Sequence, residues 1–150
     1  MTKHFIDINQ LKKDDINNIL DLSISLKKQD KNSNKALLGK NIAIIFEKSS
    51  TRTRVSFEVG VNQLGGSAIV MNANDMQISK GESIYDTAKV LSRYVDAIVI
   101  RANSHQAILD LAKYSTVPVV NALSDFSHPC QIMASILTLK ERFGDLSNKK

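Results

Sequence analysis

Six consecutive residues, Ser49-Ser50-Thr51-Arg52-Thr53-Arg54, carry four hydroxyls and two guanidinium groups between an apolar run, Ile42 to Phe46, and an amphipathic run, Val55 to Leu64. A strand that ends here and hands the chain straight to a helix would place these donors at a helix N-terminus. There the first backbone N–H groups lack partners and the peptide dipoles sum to a partial positive charge. Hydroxyl, guanidinium and N–H donors in one turn suit an anion, phosphate above all. The same residues also have a purely structural reading, with Ser50 or Thr51 as the helix N-cap and Arg54 paired with Glu58 four residues on. The elements around them decide how much weight each reading carries.

The spacing predicts a first helix over residues 14–28: Asp14 and Asp15 suit its first turn, Ile16, Ile19, Leu20 and Ile24 form a stripe, and Lys27 and Lys28 suit its end. A polar loop from Gln29 to Lys40 follows. Four short aliphatic runs, Ile42–Phe46, Ser67–Met71, Ala97–Ile100 and Val117–Val120, then read as strands. Helical patterns at 54–64, 82–95, 104–114 and 130–143 separate and follow them, with Gly65-Gly66 and Gly144 as stops. The runs are continuous in apolar character, as in strands covered on both faces. The expected fold class is therefore α/β, a doubly wound, four-stranded parallel sheet with helices on both faces.

Such sheets hold ligands outside the carboxyl ends of their strands. The first predicted strand is followed by Ser50 to Arg54, the second by a polar loop from Asn72 to Gly81 with Asp75, Gln77 and Lys80. Arg101 follows the third, and Asp125, His128, Pro129, Cys130 and Gln131 follow the fourth. Each strand end thus offers groups that hydrogen-bond an anion or a carbonyl.

Composition narrows the class of partner. The 150 residues suit one domain, and no window approaches the roughly 18 unbroken apolar residues of a membrane span. The N-terminal residues lack an apolar secretion segment, and the single cysteine, Cys130, leaves no internal disulfide or multi-cysteine zinc site, so a cytoplasmic protein is expected. The net charge of +5 is spread over scattered lysines with few aromatics among them, which argues against nucleic acid. Of the five arginines, Arg52, Arg54 and Arg101 lie at or just after predicted strand ends, which suits a small anion better. The sequence has no Gly-rich phosphate loop, no dinucleotide fingerprint, no metal-binding His pair on a helix and no internal repeat. Phosphate chemistry with neither cofactor nor metal is the expectation.

Phe46-Glu47-Lys48-Ser49-Ser50-Thr51-Arg52-Thr53-Arg54, Lys80-Gly81-Glu82-Ser83 with Asp86-Thr87, Arg101, and His128-Pro129-Cys130-Gln131 together resemble the carbamoyltransferase family. The resemblance covers nearly the whole chain. The Phe46-Glu47-Lys48 lead-in, the Asp86 to Arg93 helix and Cys130 are most similar to its ornithine-specific members. Lys80 in a Lys-Gly-Glu setting is similar to the aspartate enzymes, so an aspartate carbamoyltransferase half-domain is the near alternative. A non-catalytic anion-binding or oligomer-forming module is another. Because intact family members resemble this chain followed by a second α/β domain, residues 1–150 are expected to be the carbamoyl-phosphate domain without the ornithine domain, inactive alone.

The resemblance implies transfer of a carbamoyl group from carbamoyl phosphate to ornithine, giving citrulline and phosphate, a step of arginine biosynthesis and the urea cycle. It implies that Ser50, Thr51, Arg52 and Thr53 hold the phosphate. Arg101 and His128 would be catalytic, facing the carbonyl oxygen, while Gln131 accepts from the carbamoyl NH₂ beside Pro129 and Cys130. It further implies a homotrimer in which the loop bearing Gln77 reaches a neighbouring subunit's site. Cys130 reads as a packed side chain rather than a nucleophile, and His4 and His105 as surface residues.

Overall fold

A computed structural model describes residues 2–31, 33–76 and 81–146. Its sheet contains β1 (Asn41–Phe46), β2 (Ser67–Asn72), β3 (Ala97–Arg101) and β4 (Val119–Leu123). All neighbouring strands are parallel, in the order β2-β1-β3-β4. The five helices are α1 (Lys13–Lys28), α2 (Thr51–Gln63), α3 (Ile84–Tyr94), α4 (His105–Tyr114) and α5 (Pro129–Phe143). The expected doubly wound α/β sheet is present.

The apolar runs of β1, β3 and β4 lack alternation because both of their faces are buried, whereas the edge strand β2 departs from that expectation, with Ser67 and Ile69 exposed. Ile42, Ile44 and Phe46 of β1 pack with Val61 of α2, whereas Ala43 and Ile45 join Ala88 of α3 and Ile108 and Leu111 of α4. Side chains of a strand point alternately to its two sides, so each side must be apolar when helices cover both. Full burial of an aliphatic side chain contributes about 1.5–3 kcal/mol, and Ile44, Ile98 and Ile108 are fully buried.

The strand order locates the ligand crevice. The chain leaves β1 through α2 to β2 on one side, then crosses back through α3 to β3 on the other side of β1. The carboxyl ends of β1 and β3 therefore lie at the point where the winding reverses, where open α/β sheets bind ligands. Phe46 and Arg101, the last residues of those strands, are register partners.

Two elements have a boundary three residues from expectation, and the others shift by no more than two. α2 begins at Thr51, not at residue 54, because Ser50 takes the N-cap position and starts the helix within the hydroxyl-rich run. β4 begins at Val119, after Pro118, and runs on through Asn121 to Leu123. Proline lacks the N–H that a strand pairs with, and the polar Asn121 is tolerated because its amide finds carbonyls. A register shift between Ile100 and Arg101 places Leu123 opposite Arg101. Gly65 has a φ of +84° and follows α2 as expected, the left-handed conformation that glycine adopts without steric cost.

The N-terminal segment was not legible as part of the sheet. Phe5 donates to Val119 O at 2.8 Å and accepts from Asn121 N at 2.8 Å, adding a parallel bridge to the outer edge of β4. Short 3₁₀ turns at Ile8–Gln10 and Ala73–Asp75 complete the described elements. No helix among the described residues is long and apolar enough to cross a membrane.

Candidate functional site

The first wall of the site is built by the turn from β1 into α2. Glu47 follows the strand, its N–H donating to Arg101 O at 2.9 Å and its carboxylate accepting from Asn103 N at 2.6 Å, so the ends of β1 and β3 are laced together. Ser50 then caps α2: its Oγ accepts from Thr53 N at 3.3 Å and donates to Thr53 Oγ1 at 2.9 Å. Arg101 Nη1 donates to the same Thr53 oxygen at 3.1 Å. With both acceptor positions of Thr53 Oγ1 filled, its hydroxyl proton is left for an outside acceptor. Arg101 Nε is buried and has no acceptor among the described residues, so this guanidinium retains donor capacity.

The opposite wall is the start of α5. His128 is its N-cap, with Pro129 at the first helical position, where a missing N–H costs nothing. His128 Nδ1 accepts from Gln131 N over a long 3.4 Å, which in the neutral ring assigns the proton to Nε2. Burial and, secondarily, the Arg101 charge lower the pKa of His128 below its ordinary 6.5. The ring is therefore neutral at neutral pH and offers Nε2–H as a donor. Gln131 Nε2 lies 3.5 Å from Ser135 Oγ, leaving Oε1 as an acceptor.

Between these walls lies a cleft of about 460 Å³ into which Ser50, Arg52, Thr53, Arg101, His128 and Gln131 bring their polar groups. Ser56, Phe57, Cys130 and Ala134 also line it, and none of the described residues lining it is a carboxylate. Other surface clefts have similar volumes, about 430, 520 and 440 Å³, so size does not single this one out. Its chemistry does: two guanidinium groups and two helix N-termini, those of α2 and α5, converge on one space. Each terminus adds a partial positive charge.

The other residues expected in the site fall into distinct places. Thr51 is exposed and opens on the neighbouring 520 Å³ cleft, with Arg54 and Asp75, not on this one. The Pro129 side chain is fully buried and sets the start of α5. Cys130 donates to Asn121 O at 3.4 Å, and burial raises its pKa to about 11, so it is a packed thiol as expected. Arg54 pairs with Glu58 at 3.5 Å, the expected brace along α2. Gln77 lies outside the described residues.

His4 and His105 are corrections, because neither is a free surface residue. His4 Nδ1 accepts from Val119 N at 3.1 Å, and burial lowers its pKa. His105 Nδ1 is 2.8 Å from Ser124 Oγ, and its backbone N–H donates to Asp125 at 2.7 Å. Asp7, Asn121, Ser124 and Ser127, the polar groups behind His128, escaped the sequence reading altogether. The one available signal was an asparagine within an otherwise aliphatic strand.

The fold and the cleft define an α/β domain with a cationic crevice, suited to a small anion, at the point where its sheet reverses. The family model for the carbamoyl-P binding domain of aspartate/ornithine carbamoyltransferases matches residues 3–141, and the chain belongs to that family. It is 52% identical over 152 residues to an ornithine carbamoyltransferase of Methanoculleus marisnigri, covering all of this chain and 49% of the relative. The structure superposes on ornithine carbamoyltransferase from Thermus thermophilus with a TM-score of 0.92 at 39% identity, over 99% of this chain and 51% of that one. The enzyme from Pyrococcus furiosus gives 0.89 at 48% identity, over 93% and 45%. The chain thus spans about half the length of the relatives it matches.

Proposed function

We propose that this chain is the carbamoyl-phosphate half of an ornithine carbamoyltransferase. The observation that carries the reading is the convergence of Ser50, Arg52 and Thr53 at the start of α2 with Arg101 and His128 across one cleft. Ser50, Thr51, Arg52 and Thr53 hold the phosphate, Thr51 through its backbone N–H because its side chain faces elsewhere. Arg101, the His128 Nε2–H and the spare Thr53 proton face the carbonyl oxygen. Gln131 Oε1 accepts from the carbamoyl NH₂ beside Cys130, while the buried Pro129 fixes the start of α5.

In the reaction the uncharged δ-amine of ornithine attacks the carbonyl carbon. The new C–N bond forms as the carbonyl π electrons move to oxygen, where Arg101 and His128 stabilise the developing charge. Collapse breaks the C–O bond to phosphate, the attacking nitrogen loses a proton, and citrulline and phosphate leave. Positioning two reactants and placing donors at the developing oxyanion is all the protein must supply.

Ornithine is favoured over aspartate as acceptor because the relatives that match so much of this chain are ornithine carbamoyltransferases. The acceptor is held by chain outside residues 1–150, and a homotrimer places the Gln77 loop of one subunit at the site of another. This assembly belongs in the cytoplasm. Calorimetric titration of fresh carbamoyl phosphate tests the reading, alongside a citrulline assay. Saturable binding without citrulline formation is expected of these 150 residues. Unchanged ligand behaviour in both Arg52→Ala and His128→Ala would instead identify a non-catalytic module.

A further inference from the structure

Ser127, the residue before His128, has its polar groups tied down both by its own turn and by the distant N-terminal segment. Its carbonyl accepts from Ser124 N at 3.0 Å, from Ser124 Oγ at 3.3 Å and from Asn121 Nδ2 at 3.4 Å. Its N–H donates to Ser124 Oγ at 3.0 Å. Its hydroxyl donates to Asp7 Oδ1 at 2.7 Å, a contact across 120 residues of sequence. Asp7 Oδ1 is fixed in turn by Ile8 N at 2.8 Å, and Asn121, fully buried, donates to Ile6 O at 2.9 Å. The N-terminal segment is thereby bolted to the turn that presents His128.

This arrangement is more than the turn needs to close. Ser124 alone satisfies the backbone N–H and C=O of Ser127. The added bonds from Asp7 and Asn121 fix where the turn sits relative to β4. The register shift beside Arg101 lies on that same strand. Among the described residues the His128 ring has one long bond, accepted from Gln131 N at 3.4 Å, so the placement of the ring leans on the backbone turn that carries it.

We propose that Asp7 is a positioning residue for His128: through the Ser127 hydroxyl it holds the imidazole where Nε2–H faces the carbonyl side of the cleft. The N-terminal segment is then a working part of the site, although it contributes no atom to the cleft. The phosphate side does not depend on this clamp, because Ser50 and Thr53 are tied within their own turn. Breaking the clamp therefore separates the two halves of the ligand. Affinity for the carbamoyl group falls while affinity for phosphate holds.

The test uses Asp7→Ala, the milder Ser127→Ala, and Asp7→Asn, which keeps an oxygen for the Ser127 hydroxyl. The ¹⁵N signals of the His128 ring are followed in each, with titrations of carbamoyl phosphate and inorganic phosphate. The ligand arm rests on the function proposed above; the ring signals do not. The clamp predicts that both alanine variants move the His128 ring from the Nε2–H form toward a mixture of tautomers, and that Asp7→Asn restores it. It also predicts a carbamoyl phosphate affinity about three- to tenfold weaker, the loss of one ordinary hydrogen bond, with phosphate affinity unchanged. Unaltered ring signals in both alanine variants would overturn the proposal, as would an equal weakening of both ligands. If wild type binds no carbamoyl phosphate, the proposed function fails and the ring signals alone decide the clamp.

Discussion

The two helix N-termini that face each other across the cleft are built in different ways. At α2 the cap is local: Ser50 and Thr53, three residues apart, hold each other, and a single long-range bond from Arg101 joins them. At α5 the cap bond from Gln131 N to His128 is just as short in sequence, but the turn before it is held by Ser124 and Asn121 and, across 120 residues, by Asp7. The proposed phosphate side therefore rests on a short stretch of sequence, whereas the turn that carries His128 is also braced by the N-terminal segment docked on β4.

The sharpest way to break this comparison is to remove the charge from the local half. Arg52→Ala should weaken both carbamoyl phosphate and inorganic phosphate roughly 10- to 150-fold, since a hydrogen bond to a charged group contributes about 1.5–3 kcal/mol. Calorimetry reads this directly, and a loss confined to carbamoyl phosphate would misassign the two halves.

Cys130 probes the tertiary half. A helix N-terminus ordinarily lowers a thiol pKa, yet burial wins here and raises it to about 11 from 9.0. Two pH units correspond to about 100-fold less thiolate at neutral pH than an unperturbed thiol has. Iodoacetamide should therefore label native Cys130 about 100-fold more slowly than the urea-unfolded chain. Equal rates would place the thiol outside the packed turn.

Smaller effects follow in stability. Ser50→Ala removes the α2 cap and should cost about 1 kcal/mol, measured as a lower urea midpoint, with Ser50→Gly costing only a few tenths. If the cap is as local as its bonds indicate, the His128 ring signals stay in place in Ser50→Ala.

Acid should act on the other half. The pKa values of His4 and His128 are both depressed from 6.5, chiefly by burial. The stability they contribute is therefore present above about pH 6.5 and lost as pH falls through their lower folded values. Protonating His4 also removes its bond to Val119 N, loosening the N-terminal segment. Urea midpoints recorded from pH 8 to 5 should fall on the acid side, and His4→Phe should flatten part of that fall. An acid limb identical in wild type and variant would free His4 from this role.

The same contrast explains what could be read from the sequence. The strands were legible because burial on both faces leaves uninterrupted aliphatic runs such as Ile42 to Phe46. The cradle was legible because Ser50, Arg52 and Thr53 are contiguous. Arg101, His128 and Gln131 could be singled out by their place after strands, but not their convergence, which depends on strand order. The docking of Phe5 on β4 and the Asp7 clamp were invisible, because a bond across 120 residues leaves no periodicity. His4 and His105 went to the surface in the sequence reading for the same reason: their partners, Val119 and Ser124, are set by the tertiary fold.

The central claim is that one small molecule is gripped from both helix starts, phosphate by α2 and carbonyl by Arg101 and α5. Backbone amide and histidine-ring NMR signals, followed during titration with inorganic phosphate and then with carbamoyl phosphate, test it most directly. The account predicts that phosphate moves the amides of Ser50 to Thr53 and little else. Carbamoyl phosphate should move those and, in addition, Arg101, the His128 ring and Gln131. Perturbations that leave Ser50 to Thr53 unmoved, or that are the same for both ligands at His128, would contradict it.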